Sequence, residues 1–186
     1  MQATGWPPSP LPEHAETIAV LPDLDFDGAP STVELIRSAT PVAQRSVLGA
    51  MTFVCDVAGD FVLVWSERRQ EWGAPGGWRE RDEDVRANAV REIHEECGLV
   101  IAPETLTVQG FETFDPPVGP PPNPDGAVLQ VFSTQLSERR PPLTREPGAR
   151  LDPEWVTWDE FRARSNSKFW WPLAAAIFGD RPAAVG

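Results

Sequence analysis

Three glutamates near the middle of the chain, Glu92, Glu95 and Glu96, have the residue type and the spacing to do chemistry together. Successive residues of a helix are rotated by about 100°, so the three carboxylates fall within an arc of roughly 100° beside an apolar stripe. Carboxylates this close repel one another unless a cation lies among them, and a hard divalent ion with oxygen ligands is the natural occupant. We therefore expect a Mg²⁺ site on this helix, with Mn²⁺ as an alternative ion.

The residues around these glutamates specify the two ends of the helix and a close approach to it. Upstream, residues 73–77 (GAPGG) form a loop with little side-chain bulk, which lets backbone groups approach an ion or a phosphate. The acidic run 82–84 caps the helix start, and Gly98 supplies the left-handed residue that ends it. The alternative is a surface helix whose acids face water. That alternative explains neither the glycines nor the presence of Glu96, rather than Lys or Arg, four residues after Glu92.

These residues resemble the signature of a known family. The pattern G-x5-E-x7-R-E-U-x-E-E-x-G-U, in which U is a bulky aliphatic residue, is the Nudix box, and residues 77–99 are similar to it without a departure. Its fixed positions are filled by Gly77, Glu83, Arg91, Glu92, Ile93, Glu95, Glu96, Gly98 and Leu99. The resemblance implies a Nudix hydrolase of the α/β class, with a Nudix-type α/β/α sandwich and a mixed β-sheet, over roughly residues 46–178.

The resemblance also implies a reaction. Enzymes of this family hydrolyse a nucleoside diphosphate linked to another group, X, by attack of water on phosphorus, and they depend on Mg²⁺. By position in the box, the metal-ligating and catalytic residues are Glu92, Glu95 and Glu96, and the carbonyl of Gly77 is a further ligand.

Other residues have supporting or alternative roles under the same resemblance. Glu83 and Arg91 are expected to pair and to orient the ligand glutamates. The general base is left open between a box glutamate, with Glu92 as the fallback, and an acid from a later loop, Glu146 or Glu138.

Four residues outside the box are candidate substrate contacts: Arg68, Arg69, Trp72 and Pro116. The two arginines are suited to clamp phosphates. Trp72 and Trp78 flank the glycine loop, and either ring could stack on a nucleobase, although buried packing is the alternative. Pro116 lies near the offset beyond the box at which ADP-ribose-cleaving relatives carry a proline.

The substrate class stays open at this stage. The chain has no tyrosine, so a family signature that uses a downstream Tyr for dinucleoside polyphosphates is absent. The tracts of NADH-cleaving and coenzyme A relatives are missing too. ADP-ribose, nucleotide sugars and (d)NTPs remain as alternatives. A different class of function, a non-catalytic Nudix-fold nucleotide-binding or regulatory module, is disfavoured by the intact set of acids.

Composition limits the partners and the compartment. A net charge of −12 and a pI of about 4.5 disfavour nucleic acid and anionic membranes, which leaves a small-molecule nucleotide as the expected partner. Lys168 is the only lysine, so phosphate contacts fall to arginine. Cys55 and Cys97 are expected to be buried free thiols, which fits a cytoplasmic protein. Neither a targeting segment nor a membrane span is expected.

Hydrophobic patterns divide the chain into two parts. Residues 1–45 are expected to form a proline-rich N-terminal arm that packs on its own core or exchanges with a second copy in a homodimer. Residues 46–186 form the Nudix hydrolase domain. In the arm we expect a strand over 17–21 and a helix over 32–38. In the domain we expect a hairpin of strands 47–57 and 61–66, strands over 105–114, 127–136 and 154–158, and helices over 159–164 and 170–178. The proline-rich segment 115–126 is a candidate substrate lid.

Overall fold

The computed structural model describes residues 12–26, 29–118 and 128–179. In these residues nine strands form one sheet: β1 Glu16–Phe26, β2 Ala29–Arg37, β3 Val47–Cys55, β4 Phe61–Ser66, β5 Glu71–Gly73, β6 Gly76–Trp78, β7 Thr107–Asp115, β8 Val128–Gln135 and β9 Glu154–Val156. Three helices accompany the sheet: α1 Val85–Cys97, α2 Trp158–Ser165 and α3 Trp171–Phe178. The strand order is β1-β2-β7-β8-β3-β4-β5, with β6 paired to β3 and β9 paired to β4.

Strand β3 lies at the centre of the fold and is buried along its whole length. Because side chains alternate between the faces of a sheet, Phe53 packs with α2 and α3, whereas Val54 packs with α1. Among the described strands only β3 and β8 pair in parallel, which makes the sheet mixed. The structure therefore confirms the predicted class, an α/β sandwich with helices on both faces of a mixed sheet.

The helix predicted over residues 32–38 is wrong, because these residues belong to β2. Strand β2 pairs with β7 from Thr32 opposite Asp115 to Arg37 opposite Gly110. Val33 and Leu35 point into the core with polar residues between them, which is the period of a strand. The strand predicted over 17–21 is confirmed and is longer, since β1 runs to Phe26. Strands β1 and β2 thus belong to the same sheet as β3, β4, β7 and β8.

The other predicted elements agree with the structure. Strands β3, β4, β7, β8 and β9 and helices α2 and α3 lie where the patterns place them, with ends that differ by a few residues. Neither cysteine forms a disulfide, and both are buried. Among the described residues there is no helix with the length and hydropathy needed to cross a membrane. Two interpretations fall mainly outside the described residues: residues 1–11 of the arm and residues 119–126 of the proline-rich segment.

Local chemistry fixes both ends of α1. The side chain of Asp84 accepts hydrogen bonds from the backbone N–H groups of Arg86 and Ala87, which caps the first turn. Gly98 adopts the left-handed conformation, with φ of 72°, and ends the helix. Sequence and structure agree here because the caps are formed by neighbours in the chain.

Candidate active site

The carboxylates of α1 meet the glycines of β6. The backbone N–H of Gly76 donates a 2.8 Å hydrogen bond to Oε2 of Glu96. A Cβ on Gly77 would lie 2.5 Å from Oε2 of Glu92, so only glycine leaves room for that carboxylate. The glycine loop is therefore required by the close approach of the helix to strand β6, which the surface-helix alternative left unexplained.

The environment of these carboxylates disfavours negative charge. Burial raises the pKa of Glu96 to about 8, the hydrogen bond from Gly76 opposes that rise, and the charges of Glu92 and Glu146 add to it. The pKa of Glu92 is also raised, mainly by burial and against the effect of Arg91. A cation placed beside these two carboxylates would relieve both the desolvation and the mutual repulsion. The donor set thus fits a hard divalent ion.

Arg91 connects the acids of the box. Its Nε and Nη2 atoms lie 2.9 and 3.1 Å from the two carboxylate oxygens of Glu83, and Nη2 also donates to the carbonyl of Trp78 at 3.0 Å. Its Nη1 lies 2.7 Å from Oε1 of Glu92 and 2.8 Å from Oε2 of Glu95. These contacts raise the pKa of Arg91 further above its usual range. The guanidinium holds the acids of the box in one arrangement.

The contacts of Arg91 with Glu92 and Glu95 also bear on how these glutamates could bind a metal ion. In the part of the chain that the structure describes, no three acidic, His or Cys side chains are placed to hold a metal ion together. One oxygen of Glu92 and one oxygen of Glu95 are directed at the Nη1 atom of Arg91. Each of these contacts engages only one of the two oxygens of its carboxylate.

The register of β6 decides which glycine carbonyl faces the acids. Gly77 pairs with Ala50 of β3 and lies between two hydrogen-bonded positions, where Arg79 donates to Leu48 and Thr52 donates to Pro75. Alternate residues of an antiparallel strand point to the same side, so the carbonyl of Gly77 faces β3. The backbone of Gly76 faces the other way, as its hydrogen bond to Glu96 shows.

A cavity of about 280 Å³ opens beside Glu96. The turn between β4 and β5 contributes Arg68 and Arg69, and β6 contributes Trp78. The far wall is apolar and contains one acid, Glu112. The cavity therefore has a charged end beside α1 and an apolar end beneath α3, which suits a molecule with a polar part and a flat apolar part.

The predicted substrate contacts are distributed unevenly around this cavity. Arg68 and Arg69 line it, and the guanidinium of Arg68 lies 5.5 Å from the ring centroid of Trp78. Trp72 and Pro116 lie outside the lining. The ring of Trp72 is covered by the guanidinium of Arg164 at 4.3 Å, and the carbonyl of Pro116 accepts a 2.9 Å hydrogen bond from Ser31. Of the two tryptophans that flank the glycine loop, Trp78 is the one at the cavity.

The two candidate loop acids also differ. Glu146 is exposed, and its charge reaches Glu96, since it raises the pKa of that carboxyl. Glu138 is exposed beside a separate groove formed by residues near Gly98 and Pro142. Of the two loop acids, Glu146 is the one whose charge contributes to the raised pKa of Glu96.

Sequence reasoning missed two residues of this cavity, Glu112 and Trp170. Both are 1% exposed and line its apolar end. For Glu112 a signal existed: an acid at a core-facing position of strand β7, two residues before Phe114. For Trp170 no local signal existed, because a tryptophan at the start of an apolar helix usually indicates packing.

Comparison with known proteins assigns the family. The model of the NUDIX domain matches residues 45–176 of the chain. Among curated proteins, none is similar enough in sequence to count as a match.

Several solved structures are similar to this chain. An Ap4A hydrolase of C. elegans in a binary complex is 18% identical, with 72% of this chain and 98% of that chain covered and a TM-score of 0.50. A MutT/nudix family protein of Enterococcus faecalis is 21% identical, over 63% of this chain and 46% of that chain, with a TM-score of 0.46. The NUDIX domain of Shewanella oneidensis NrtR, in complex with ADP ribose, is 16% identical, over 67% and 79%, with a TM-score of 0.47. Likeness at these identities concerns the fold alone.

Proposed function

We infer the function from one premise: this chain belongs to the NUDIX domain family. Family membership supports the enzyme class that the sequence predicted, a hydrolase of phosphoric anhydride bonds. We propose that its substrate is a nucleoside diphosphate linked to another group, of the ADP-ribose and nucleotide-sugar class or the (d)NTP class. We propose also that the reaction depends on Mg²⁺, with Mn²⁺ as an alternative.

One observation carries this proposal: Glu96, whose pKa is raised, lines the charged end of a cavity together with two arginines, and the carboxylate of Glu92, whose pKa is also raised, lies against Gly77 in the wall of that cavity. A binding site for a neutral ligand gains nothing from such acids. A site for a diphosphate requires a cation between the acids and the phosphate oxygens, and it requires guanidinium groups to bind the rest of the phosphate charge. The cavity offers both kinds of group at one end.

The residues that would hold the metal are Glu92, Glu95 and Glu96 with a glycine carbonyl. The orientation of β6 favours the carbonyl of Gly76 over that of Gly77 for this role. When bound, Mg²⁺ supplies charge neutralisation on the diphosphate and a lowered pKa for a coordinated water.

The side chains of the protein would do the remaining work. Arg68 and Arg69 bind phosphate oxygens from the wall of the cavity. Arg91 would hold Glu83 and the ligand glutamates in position through its contacts with their carboxylate oxygens. Glu146 accepts the proton of the attacking water, because its charge already reaches Glu96. Glu92 remains the alternative base.

The test is a hydrolysis screen over ADP-ribose, nucleotide sugars, canonical and oxidised (d)NTPs and dinucleotides, with and without Mg²⁺. Glu96→Gln serves as the inactive variant, and Glu104→Gln, an exposed acid on the turn after α1, serves as the matched control. We expect one substrate class to be cleaved at the diphosphate by the wild type and by Glu104→Gln only. Metal-independent turnover, or turnover retained by Glu96→Gln, would contradict the proposal.

A second function, nucleotide binding without cleavage, has one observation in its favour: Arg91 engages one oxygen each of Glu92 and Glu95, which leaves fewer carboxylate oxygens for a metal ion. This function predicts that nucleotides raise the melting temperature with no product formed, even at millimolar Mg²⁺ or Mn²⁺. The same screen therefore separates the two functions when thermal shifts are read in parallel.

A further inference from the structure

Glu112 occupies a position in the sheet where an apolar side chain would be expected. It is 1% exposed and lies on the same face of β7 as Phe114. Its cross-strand partners are Leu35 of β2 and Leu129 of β8. Directly opposite residues share a face and touch, so the carboxyl group lies between two leucines. A carboxyl group at such a position costs free energy that a leucine would not cost.

Two buried polar atoms at this end of the cavity lack hydrogen-bond partners among the described residues. They are Oε1 of Glu112, on β7, and Nε1 of Trp170, the residue directly before α3, and both residues line the cavity. Buried polar atoms in folded proteins are satisfied in the great majority of cases, and an exception calls for an explanation. Here the two exceptions line one cavity, so a single bound molecule would satisfy both.

This pair is separate from the carboxylates of α1. Across the sheet, Glu112 pairs with Leu129, Leu129 pairs with Gly49, and Gly49 pairs with Trp78. With strands about 4.8 Å apart, Glu112 lies roughly 10 Å from the backbone of Gly49 and farther from the glycines of β6. That separation matches the span from a diphosphate to the base of the same nucleotide.

The hydrogen-bonding groups of Glu112 and Trp170 indicate which donors and acceptors a bound molecule must present. Burial raises the pKa of Glu112 to about 8, with the charge of Arg69 acting in the opposite direction. At neutral pH the carboxyl therefore carries its proton and offers one O–H donor and one carbonyl acceptor. Trp170 offers one N–H donor. The complementary molecule presents one N–H group and two acceptors along one edge. The apolar walls, which include Phe114 and Leu129, favour a flat ring.

We propose that Glu112 and Trp170 are specificity-determining residues that bind the nucleobase of the substrate along an amide-like or amidine-like edge. This proposal rests on the proposed function, because it assigns the cavity end opposite the diphosphate. Arg69 does not serve as a dedicated partner of Glu112, since its Nε pairs with Glu71 at 3.2 Å.

The test compares Glu112→Leu with Glu112→Gln. Leucine matches the apolar row and removes both hydrogen-bonding functions, whereas glutamine keeps one donor and one acceptor in the same shape. The probes are ATP, GTP, CTP and UTP and, as a ligand without a base, inorganic triphosphate, all with Mg²⁺. Dissociation constants are measured by calorimetry, and melting temperatures without ligand report folding.

We expect Glu112→Leu to fold with an unchanged or higher melting temperature and to bind its best nucleotide at least about 10-fold more weakly, because two hydrogen bonds are lost. Affinity for inorganic triphosphate should stay within about 2-fold, and Glu112→Gln should bind nucleotides within about 3-fold of the wild type. Trp170→Phe, which removes only the N–H donor, should weaken the same nucleotide by about 3- to 10-fold.

Three results would overturn the proposal: equal nucleotide affinity for Glu112→Leu and wild type, an equal loss for inorganic triphosphate, or a loss in Glu112→Gln as large as in Glu112→Leu. Failure of the proposed function is a different result. In that case no compound is hydrolysed, while base-dependent binding still responds to Glu112. Conversely, hydrolysis with a base preference that Glu112→Leu leaves unchanged retains the function and rejects this assignment.

Discussion

Two acids in this protein, Glu96 and Glu112, have a pKa raised to about 8 for different reasons. Glu96 is half-buried, accepts a hydrogen bond from Gly76 and feels the charges of Glu92 and Glu146. Glu112 is fully buried between leucines, and no acid adds to its shift. A carboxyl in a cluster of like charges favours a cation, whereas an isolated carboxyl in an apolar row favours a neutral hydrogen-bonding partner. Glu96 and Glu112 therefore favour different ligands although their pKa values are raised to the same level.

The largest expected difference between the two acids is in turnover. Glu96→Gln should lower kcat by at least about 10²-fold, because one ligand of the metal and part of the charge cluster are lost. Glu112→Gln should leave kcat within about 3-fold, because it lies away from the reacting phosphorus and retains a hydrogen-bonding pair. Steady-state kinetics at saturating substrate, with circular dichroism to verify folding, measures both. A similar loss of kcat in the two variants would contradict the different roles of Glu96 and Glu112.

The next difference is the pH dependence of stability in the presence of EDTA. The pKa of Glu112 in the folded protein is about 8, above the usual 4.5, so the folded state retains a proton that the unfolded state releases. Stability is then fully present below about pH 4.5 and falls as the pH rises to 8. Glu112→Leu should remove this loss and gain roughly 4 kcal/mol over the wild type between pH 5 and pH 9, because each pKa unit corresponds to 1.36 kcal/mol. Urea unfolding at both pH values tests the expectation, and a constant difference would contradict it.

A smaller effect is expected from crowding Glu92. Gly77→Ala places a Cβ 2.5 Å from Oε2 of that carboxylate, so the side chain must move out of the cluster. We expect kcat/KM to fall about 10-fold through misplacement of a ligand. Gly73→Ala is the control, since its Cβ meets only the guanidinium of Arg69, at 3.4 Å. If both alanine variants behave alike, Glu92 has no positional role.

The smallest expected effect is a difference in how Mg²⁺ changes the stability of the Glu96 and Glu112 variants. In EDTA at pH 9, Glu96→Gln should be more stable than the wild type by about 1 kcal/mol, because a repelling charge is removed. Added Mg²⁺ should cancel or reverse this advantage, because only the wild type has the complete ligand set. The advantage of Glu112→Leu should persist with Mg²⁺. Melting temperatures with and without Mg²⁺ test this expectation. If the melting temperature of Glu96→Gln in EDTA equals or falls below that of the wild type, the carboxylates of the box do not repel one another.

Local interactions explain which predictions succeeded. The ends of α1 depend on Asp84 and Gly98, both within a few residues of the helix, so the sequence predicted them correctly. The hairpin of β3 and β4 was predicted from apolar runs around a short turn. The predicted helix over residues 32–38 was wrong because a seven-residue stretch with Val33, Leu35 and Ile36 fits more than one period. Pairing with β7, some 80 residues away, decides in favour of a strand.

The sequence by itself determined the family, and it predicted the acids of the box as ligands of a hard divalent ion, because residue spacing within one helix is a local property. Only the tertiary structure decided three other matters: that Arg91 holds Glu92 and Glu95, that Trp78 rather than Trp72 borders the cavity, and that Glu112 and Trp170 line the same cavity. Each of these depends on strand register or on helix packing between distant segments. A shift of one residue in register turns a side chain to the other face of the sheet, and no local pattern reports that shift.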